Sequence, residues 1–241
     1  MIGFDPLTVT SLLVLAASQP TCTAPQPAQI KVTPRTADVQ LITSHTLGDL
    51  QTVQTDTINP HSFGGVSYLQ GFASGRIAVN PSVKLNYTQD KRSGAVCLYY
   101  ETVNIEIAID PKIYIAKEVY DDRCMGKATY DHEMKHVMTD RVIVNKYANV
   151  MGQKVLAGLQ ERGFVAGPFY KSEHVTAAAE RMQHTVFQLL EREYKRLELD
   201  REDAQGEVDS IEEYDRVDAL CPDFKEMPQS LEAYYATKKK Q

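Results

Sequence analysis

Five consecutive residues, His132-Glu133-Met134-Lys135-His136, set two imidazoles four positions apart with a carboxylate beside the first. On a helix, positions i and i+4 share a face, so both rings can reach one metal ion. Glu133 then stands where it can take a proton from a metal-activated water. Zinc (Zn2+) suits such a set, because protein ligands fill part of a tetrahedron and leave one position open. Asp140 follows His136 by four residues and falls on the same stripe. A carboxylate there can accept a hydrogen bond from a ligand imidazole and fix its tautomer, the role of an outer-shell residue. The bland alternative is a solvated helix face carrying two histidines and a charged pair.

The elements that must position these residues argue for the metal. From Cys124 to Leu159 there is no proline, and apolar residues recur at helical spacing: Ala128, Val137, Val142, Val144, Tyr147, Met151, Val155 and Leu159. Asp121 and Asp122 are candidate N-caps. Thr129, His132, Glu133, His136, Asp140, Ile143 and Tyr147 form one partly apolar stripe, which points the histidines inward. Gly163 to Pro168 breaks this helix. A second long helix is predicted from Ser172, a candidate cap, toward Gln205, with Val175, Met182, Val186, Leu190 and Leu197 on its apolar face. From Glu191 onward it is dense in both charges, the mark of a solvated face. Gly206 is a point of interruption, and Ile211 to Leu220 reads as a further short helix.

Ahead of the motif, Val39 to Val119 reads as β-rich. Val96 to Ile109 alternates, with Cys97, Tyr99, Val103, Ile105 and Ile107 on one side and Thr102, Asn104 and Glu106 on the other. Asp110-Pro111 punctuates it, and Lys112 to Val119 alternates again through Ile113 and Ile115. A strand beside the motif helix can offer its edge to an extended substrate. His61, ahead of Ser62-Phe63-Gly64-Gly65, reads as an exposed histidine in a turn.

Composition bounds the class. A 27.0 kDa chain with 43% apolar and 24% charged residues is a soluble globular protein with room for one sizeable core. A formal charge of −6 argues against nucleic acid as a partner. Leu7 to Ala17 is apolar and ends in Ala16-Ala17-Ser18, which makes residues 1–18 a candidate signal peptide, although no Lys or Arg precedes the apolar run. The expected location is therefore secreted or periplasmic, with no transmembrane helix in the mature chain. Residues 19–38 read as a flexible linker, 39–225 as the folded domain and 226–241 as a tail whose Lys238-Lys239-Lys240 is solvated. Cys22 follows Gln19-Pro20-Thr21, a poor context for a lipid anchor. Cys22, Cys97, Cys124 and Cys221 allow three complete disulfide pairings. Cys97 with Cys124 is the first to expect, since it would tie a strand to the start of the motif helix.

Two histidines leave a zinc site incomplete, and the third ligand must come from elsewhere. A His or Asp six residues beyond His136 would mark a metzincin; that position is Val142. The stretch His132 to Asp140 resembles the thermolysin motif helix, including its Asp four residues after the second His. That family takes its third ligand from a Glu about twenty residues further on, where this chain reads Lys154-Val155-Leu156-Ala157-Gly158. If the two long helices form an antiparallel hairpin, His136 lies about 27 residues before the turn, and a level partner falls near or beyond Glu193. This disfavours Glu173, His174 and Glu180 and leaves Glu193 or the segment Asp209 to Glu213.

From about Tyr99 to Val217 the chain resembles an uncharacterised family of secreted bacterial zinc-dependent proteases. The shared features are a β-rich N-terminal half, a cysteine just ahead of the H-E-x-x-H helix, and a long antiparallel helix behind it. In that family the second helix ends in a motif like Ala-Gln-x-x-Tyr-Asp-x-x-Thr-x-His. This chain has Ala204-Gln205-Gly206-Glu207-Val208-Asp209-Ser210-Ile211-Glu212-Glu213-Tyr214, so the family's late histidine falls on Tyr214. A neighbouring carboxylate is then expected to replace it: Glu213 first, with Glu212 and Glu193 as rivals.

The expected fold is α+β and zincin-like: a β-rich N-terminal half packed on a long antiparallel helical hairpin that carries H-E-x-x-H. The expected function is that of an exported zinc metallopeptidase acting on a peptide or protein substrate, with Glu133 as general base, His132, His136 and Glu213 as metal ligands and Asp140 behind them. Tyr130 and Tyr214 are candidates to stabilise an oxyanion. The alternative is a non-catalytic envelope interaction protein that works through the charged helix 191–217, any metal being structural. A third option is a metal protein that has lost activity through the change at Tyr214.

Overall fold

The computed structural model describes residues 21–53 and 69–224. The signal-peptide reading of residues 1–18, His61 and the lysines of the tail lie outside these residues. In chain order the elements are β1 (Gln29–Thr36), β2 (Gln40–Ile42), α1 (Leu47–Leu50), β3 (Gly71–Ser74), β4 (Ile77–Gln89), β5 (Val96–Ile109), β6 (Lys112–Ile115), α2 (Lys117–Asp121), α3 (Arg123–Arg162), β7 (Val165–Phe169), α4 (Ser172–Val208) and α5 (Ile211–Leu220). The architecture is α+β.

Two sheets flank the helical hairpin. The larger runs β1-β5-β4, with β7 also paired to β5; the smaller runs β2-β6-β3. The first core packs Val103, Ile105, Ile107 and Ile109 of β5 against Val144, Met151, Val155 and Leu159 of α3 and Val186, Leu190 and Leu197 of α4. The second packs Ile113 and Ile115 of β6 against Met125, Ala128 and Val137 of α3, with Val217 and Cys221 closing it from α5. The motif helix therefore runs through both cores, and the two histidines lie on its N-terminal half.

Local chemistry accounts for the ends of α3. Asp122 caps its start, accepting a hydrogen bond from the Met125 amide. Gly163 ends it at φ 90°, in the region where only glycine is unstrained. The expected inward stripe holds throughout: Thr129, His132, Glu133, His136, Asp140, Ile143 and Tyr147 are all buried. Val142, grouped above with the apolar residues, is 64% exposed. It follows the inward-facing Asp140 by two positions, about half a turn of helix. The second helix starts as expected at Ser172, but Lys171 holds the cap position and gives no side-chain cap bond. Gly206 does not interrupt it; α4 continues to Val208.

Further expectations need correction. First, the expected linker 19–38 contains a strand: β1 pairs in parallel with β5 from Gln29↔Thr102 to Thr36↔Ile109. Its polar composition fits a strand with one face in water. Second, Cys97 is joined to Cys22 and Cys124 to Cys221. Cys97 opens β5 on the larger sheet, while Cys124 and Cys221 meet beside the second core, so a Cys97–Cys124 pair would have to cross between the two. Third, Cys97 and Tyr99 do not share a face with Val103. The β4–β5 register passes from Lys84↔Thr102 to Leu85↔Tyr100, leaving Glu101 unopposed. This bulge reverses the alternation, so Leu98 and Tyr100 join Val103 in the first core.

Candidate metal centre

His132 and His136 project from one face of α3, and their ring centroids are 5.1 Å apart. Ligating atoms of His132, Glu133 and His136 lie within 4.8 Å of one another, and all three side chains are buried. The turn between α4 and α5 supplies the facing wall. Asp209 is the C-cap of α4, and Ser210 caps α5 by accepting from the Glu213 amide. This double cap aims the Asp209 carboxylate at the histidines: Oδ1 lies 3.1 Å from His136 Nε2 and 3.4 Å from His132 Nε2. The Tyr214 hydroxyl donates to the same oxygen at 3.0 Å, and its ring is tilted against His132 at 5.5 Å.

Glu213, expected as the third ligand, is placed on the opposite side of the ring. Its Oε1 is 3.3 Å from His132 Nδ1. Arg216 donates to both of its oxygens, at 2.8 and 2.7 Å, and Lys135 pairs with it as well. These cations hold the Glu213 carboxyl well below its ordinary range, Arg216 first, against the opposing effect of burial. An ionised carboxylate only accepts, so Nδ1–H of His132 donates to it and Nε2 is left facing Asp209. The carboxylate that meets both Nε2 atoms is thus Asp209. The register of the α4–α5 turn, one helical turn earlier than expected, makes the difference. Glu212 is exposed on α5. Glu193 is buried but pairs with Arg196 on its own helix at 3.1 Å.

Asp140 touches neither imidazole by a direct hydrogen bond. It accepts from Gln205 Nε2 at 2.7 Å and from Arg201 at 2.6 and 3.1 Å. Gln205 in turn sets its Oε1 against His136 Nδ1. Asp140 therefore reaches the His136 ring only through Gln205, because the carboxylate is one helical turn beyond the ring.

Electrostatics make the centre a place for positive charge. Burial opposes charging of both histidines, yet hydrogen bonds to Asp209 and the nearby Glu133 carboxylate raise the pKa of each above its ordinary value. Asp209 is pushed up by burial, but the two imidazoles and the Tyr214 hydroxyl outweigh this and hold it low. Glu133 is raised by burial, against the pull of both histidines. Two buried carboxylates beside two imidazoles need compensation, either protons on both rings or a cation between them.

The smaller sheet touches the site through β3. Gln70 and Ala116 share a ladder bond, so in the alternating antiparallel pattern Gly71 and Ala73 turn their backbone groups away from β6. The Ala73 backbone lies near the Glu133 carboxylate and opposes the rise in its pKa. The strand lies this close to α3 because residue 71 is glycine: a Cβ there would stand 2.8 Å from Thr129 Cγ2 and 3.6 Å from Glu133 Oε1.

Gln205, Arg201 and the Ala73 backbone were not singled out from sequence, and Asp209 only as the start of the candidate segment Asp209 to Glu213. For two of them a signal existed, since Gln205 and Asp209 fall on the Gln and Asp of the motif quoted above. Tyr214 is at the site, whereas Tyr130 packs against the second core. Comparison with family models, curated proteins and solved structures finds no match.

Proposed function

We propose that this protein is an exported zinc metallopeptidase of zincin-like fold, with His132, His136 and Asp209 as metal ligands and Glu133 as general base. The observation that carries the reading is the convergence of both Nε2 atoms on one Asp209 oxygen. At zinc's usual bond lengths, two tetrahedral ligands stand about 3.3 Å apart. The 3.1 and 3.4 Å separations suit a cation held by these three groups, with a fourth position open. Glu213 and Gln205 support it from behind, each facing an Nδ1 as outer-shell partners of ligating histidines do.

Zinc bound here would acidify a water and polarise a scissile carbonyl. Glu133 would accept the water's proton and deliver it to the leaving amine. Its burial helps, because a carboxylate out of bulk water is a stronger base than an exposed one. Tyr214 would donate its hydroxyl to the developing oxyanion. The edge of β3, beside Glu133, favours an extended peptide as substrate through backbone hydrogen bonds.

The alternative of a partner-binding helix over 191–217 loses support from the same contacts. Arg201, Gln205, Asp209 and Glu213 of that stretch turn toward α3 rather than outward.

Metal analysis of the purified chain tests the reading. About one zinc per chain is expected, absent from the His132→Ala/His136→Ala double variant. Glu133→Gln should keep the metal and lose hydrolysis of an unstructured protein such as casein. No metal in the wild type after reconstitution would reject the proposal.

A further inference from the structure

We propose that Gln205 is a positioning residue that keeps a proton on His136 Nδ1, and that Asp140 and Arg201 hold its amide in the one orientation that does so. The inference deepens the metal-site reading and rests on it for its meaning. Its central claim, however, concerns a proton that is observable with or without metal.

Gln205 is buried, and its amide nitrogen donates to two groups: the His136 carbonyl oxygen at 3.1 Å and Asp140 Oδ1 at 2.7 Å. A carbonyl oxygen can only accept, and so can an ionised carboxylate. The nitrogen must therefore face them, and Oε1 is left against His136 Nδ1. That oxygen can only accept as well, so Nδ1 carries the hydrogen and Nε2 is the nitrogen directed to the metal side. Turning the amide over would set oxygen against both acceptors. It would also aim NH2 at Nδ1, moving the ring proton to Nε2 and closing the nitrogen that must ligate.

Arg201 makes the turned state costlier still. Its Nε and Nη2 donate to the two Asp140 oxygens, fixing that carboxylate on the Gln205 side. The same guanidinium donates to the Gly75 carbonyl at 3.0 Å, one residue past β3. One cation thus orients the chain behind His136 and anchors the end of the strand that runs beside Glu133.

The Nδ1 side of His132 is held by other groups. It faces Glu213, which is pinned by Arg216 and Lys135, and among the described residues no hydrogen bond joins these three to Gln205. The molecule therefore contains its own control.

The test is nitrogen-15 NMR of the histidine rings in the full chain, metal-free and zinc-loaded. Wild type should show a protonated, exchange-protected Nδ1 on both His132 and His136. In Gln205→Leu the His136 Nδ1–H signal should lose its protection while that of His132 stays. Asp140→Asn, which frees the amide to turn, should weaken the same His136 signal. Zinc affinity by chelator competition should fall about 10- to 100-fold in Gln205→Leu. Change at both rings in Gln205→Leu would mean a general loss of structure, and Asp140→Asn then decides. A wild-type His136 without Nδ1–H, or an Nδ1–H untouched in both variants, overturns the proposal. A wild type that shows the protected proton but binds no zinc keeps this inference and rejects the metallopeptidase reading instead.

Discussion

Asp209 and His136, separated by 73 residues in sequence, meet with Oδ1 3.1 Å from Nε2 at the end of the helical hairpin. The hairpin brings the motif level with the last turn of α4. The α4–α5 turn then sets which carboxylate faces the Nε2 atoms and which faces Nδ1 of His132.

Substitution separates the two acids. Asp209→Ala removes a carboxylate in contact with both Nε2 atoms and should abolish zinc binding at micromolar concentration. Glu213→Gln keeps an acceptor at His132 Nδ1 and should weaken zinc by no more than about tenfold. Competition with a chelating dye measures both. The reverse ranking would return the third-ligand role to Glu213.

Acidity should act in opposite directions with and without metal. In the metal-free protein the imidazole pKa values are raised, so the histidines contribute stability below the unfolded value of about 6.5. That contribution is lost as pH rises through the folded values. Asp209 is depressed, and its contribution persists until pH falls below the usual carboxylate range. Thermal stability of the metal-free chain should therefore decline as pH rises above about 6.5. Zinc affinity should rise over the same interval, since ligation needs unprotonated Nε2 atoms. Melting curves on metal-free and zinc-loaded protein check this, with His132→Gln/His136→Gln flattening the first trend.

The Cys124–Cys221 bridge ties the start of α3 to the end of α5. Replacing both cysteines with serine should cost about 2–4 kcal/mol of stability, as expected for a long closed loop. It should also weaken zinc binding, because α5 carries Glu213 and Tyr214. The Cys22–Cys97 bridge lies on the larger sheet. Its removal should lower the melting temperature and leave zinc affinity unchanged. Equal losses of affinity from the two double variants would show that α5 is held without its bridge.

Gly71→Ala puts a methyl group 2.8 Å from both Thr129 Cγ2 and the Tyr114 carbonyl oxygen. The strand must shift away from α3, at a cost of about 1–3 kcal/mol. Zinc binding should survive, whereas peptide hydrolysis should drop, as β3 no longer lies against Glu133. Full activity in a destabilised Gly71→Ala protein would remove β3 from the catalytic account.

Much of this protein is legible along the chain wherever the deciding interaction is local. Helical periodicity marks α3 and α4, and the alternation of Val96 to Ile109 marks β5 from end to end. The inward turn of His132, Glu133 and His136 followed from the stripe they share with Ile143 and Tyr147. The strand within residues 29–36 was hidden, because its polar residues mimic a linker until β5 supplies a partner. The bulge at Glu101 was hidden for the same reason: alternation is read in one strand, but register belongs to two.

What the sequence by itself determined is the donor pair and its helix, because four-residue spacing on one helix is fixed by backbone geometry alone. What only the tertiary structure decided is the rest of the centre. Asp209 rather than Glu213 faces both Nε2 atoms, Gln205 stands between Asp140 and His136, and Cys124 finds Cys221. Each of these depends on how far α4 runs and how sharply α5 turns back. Those outcomes are set by packing between elements some 60 to 100 residues apart in the chain, which no local pattern encodes.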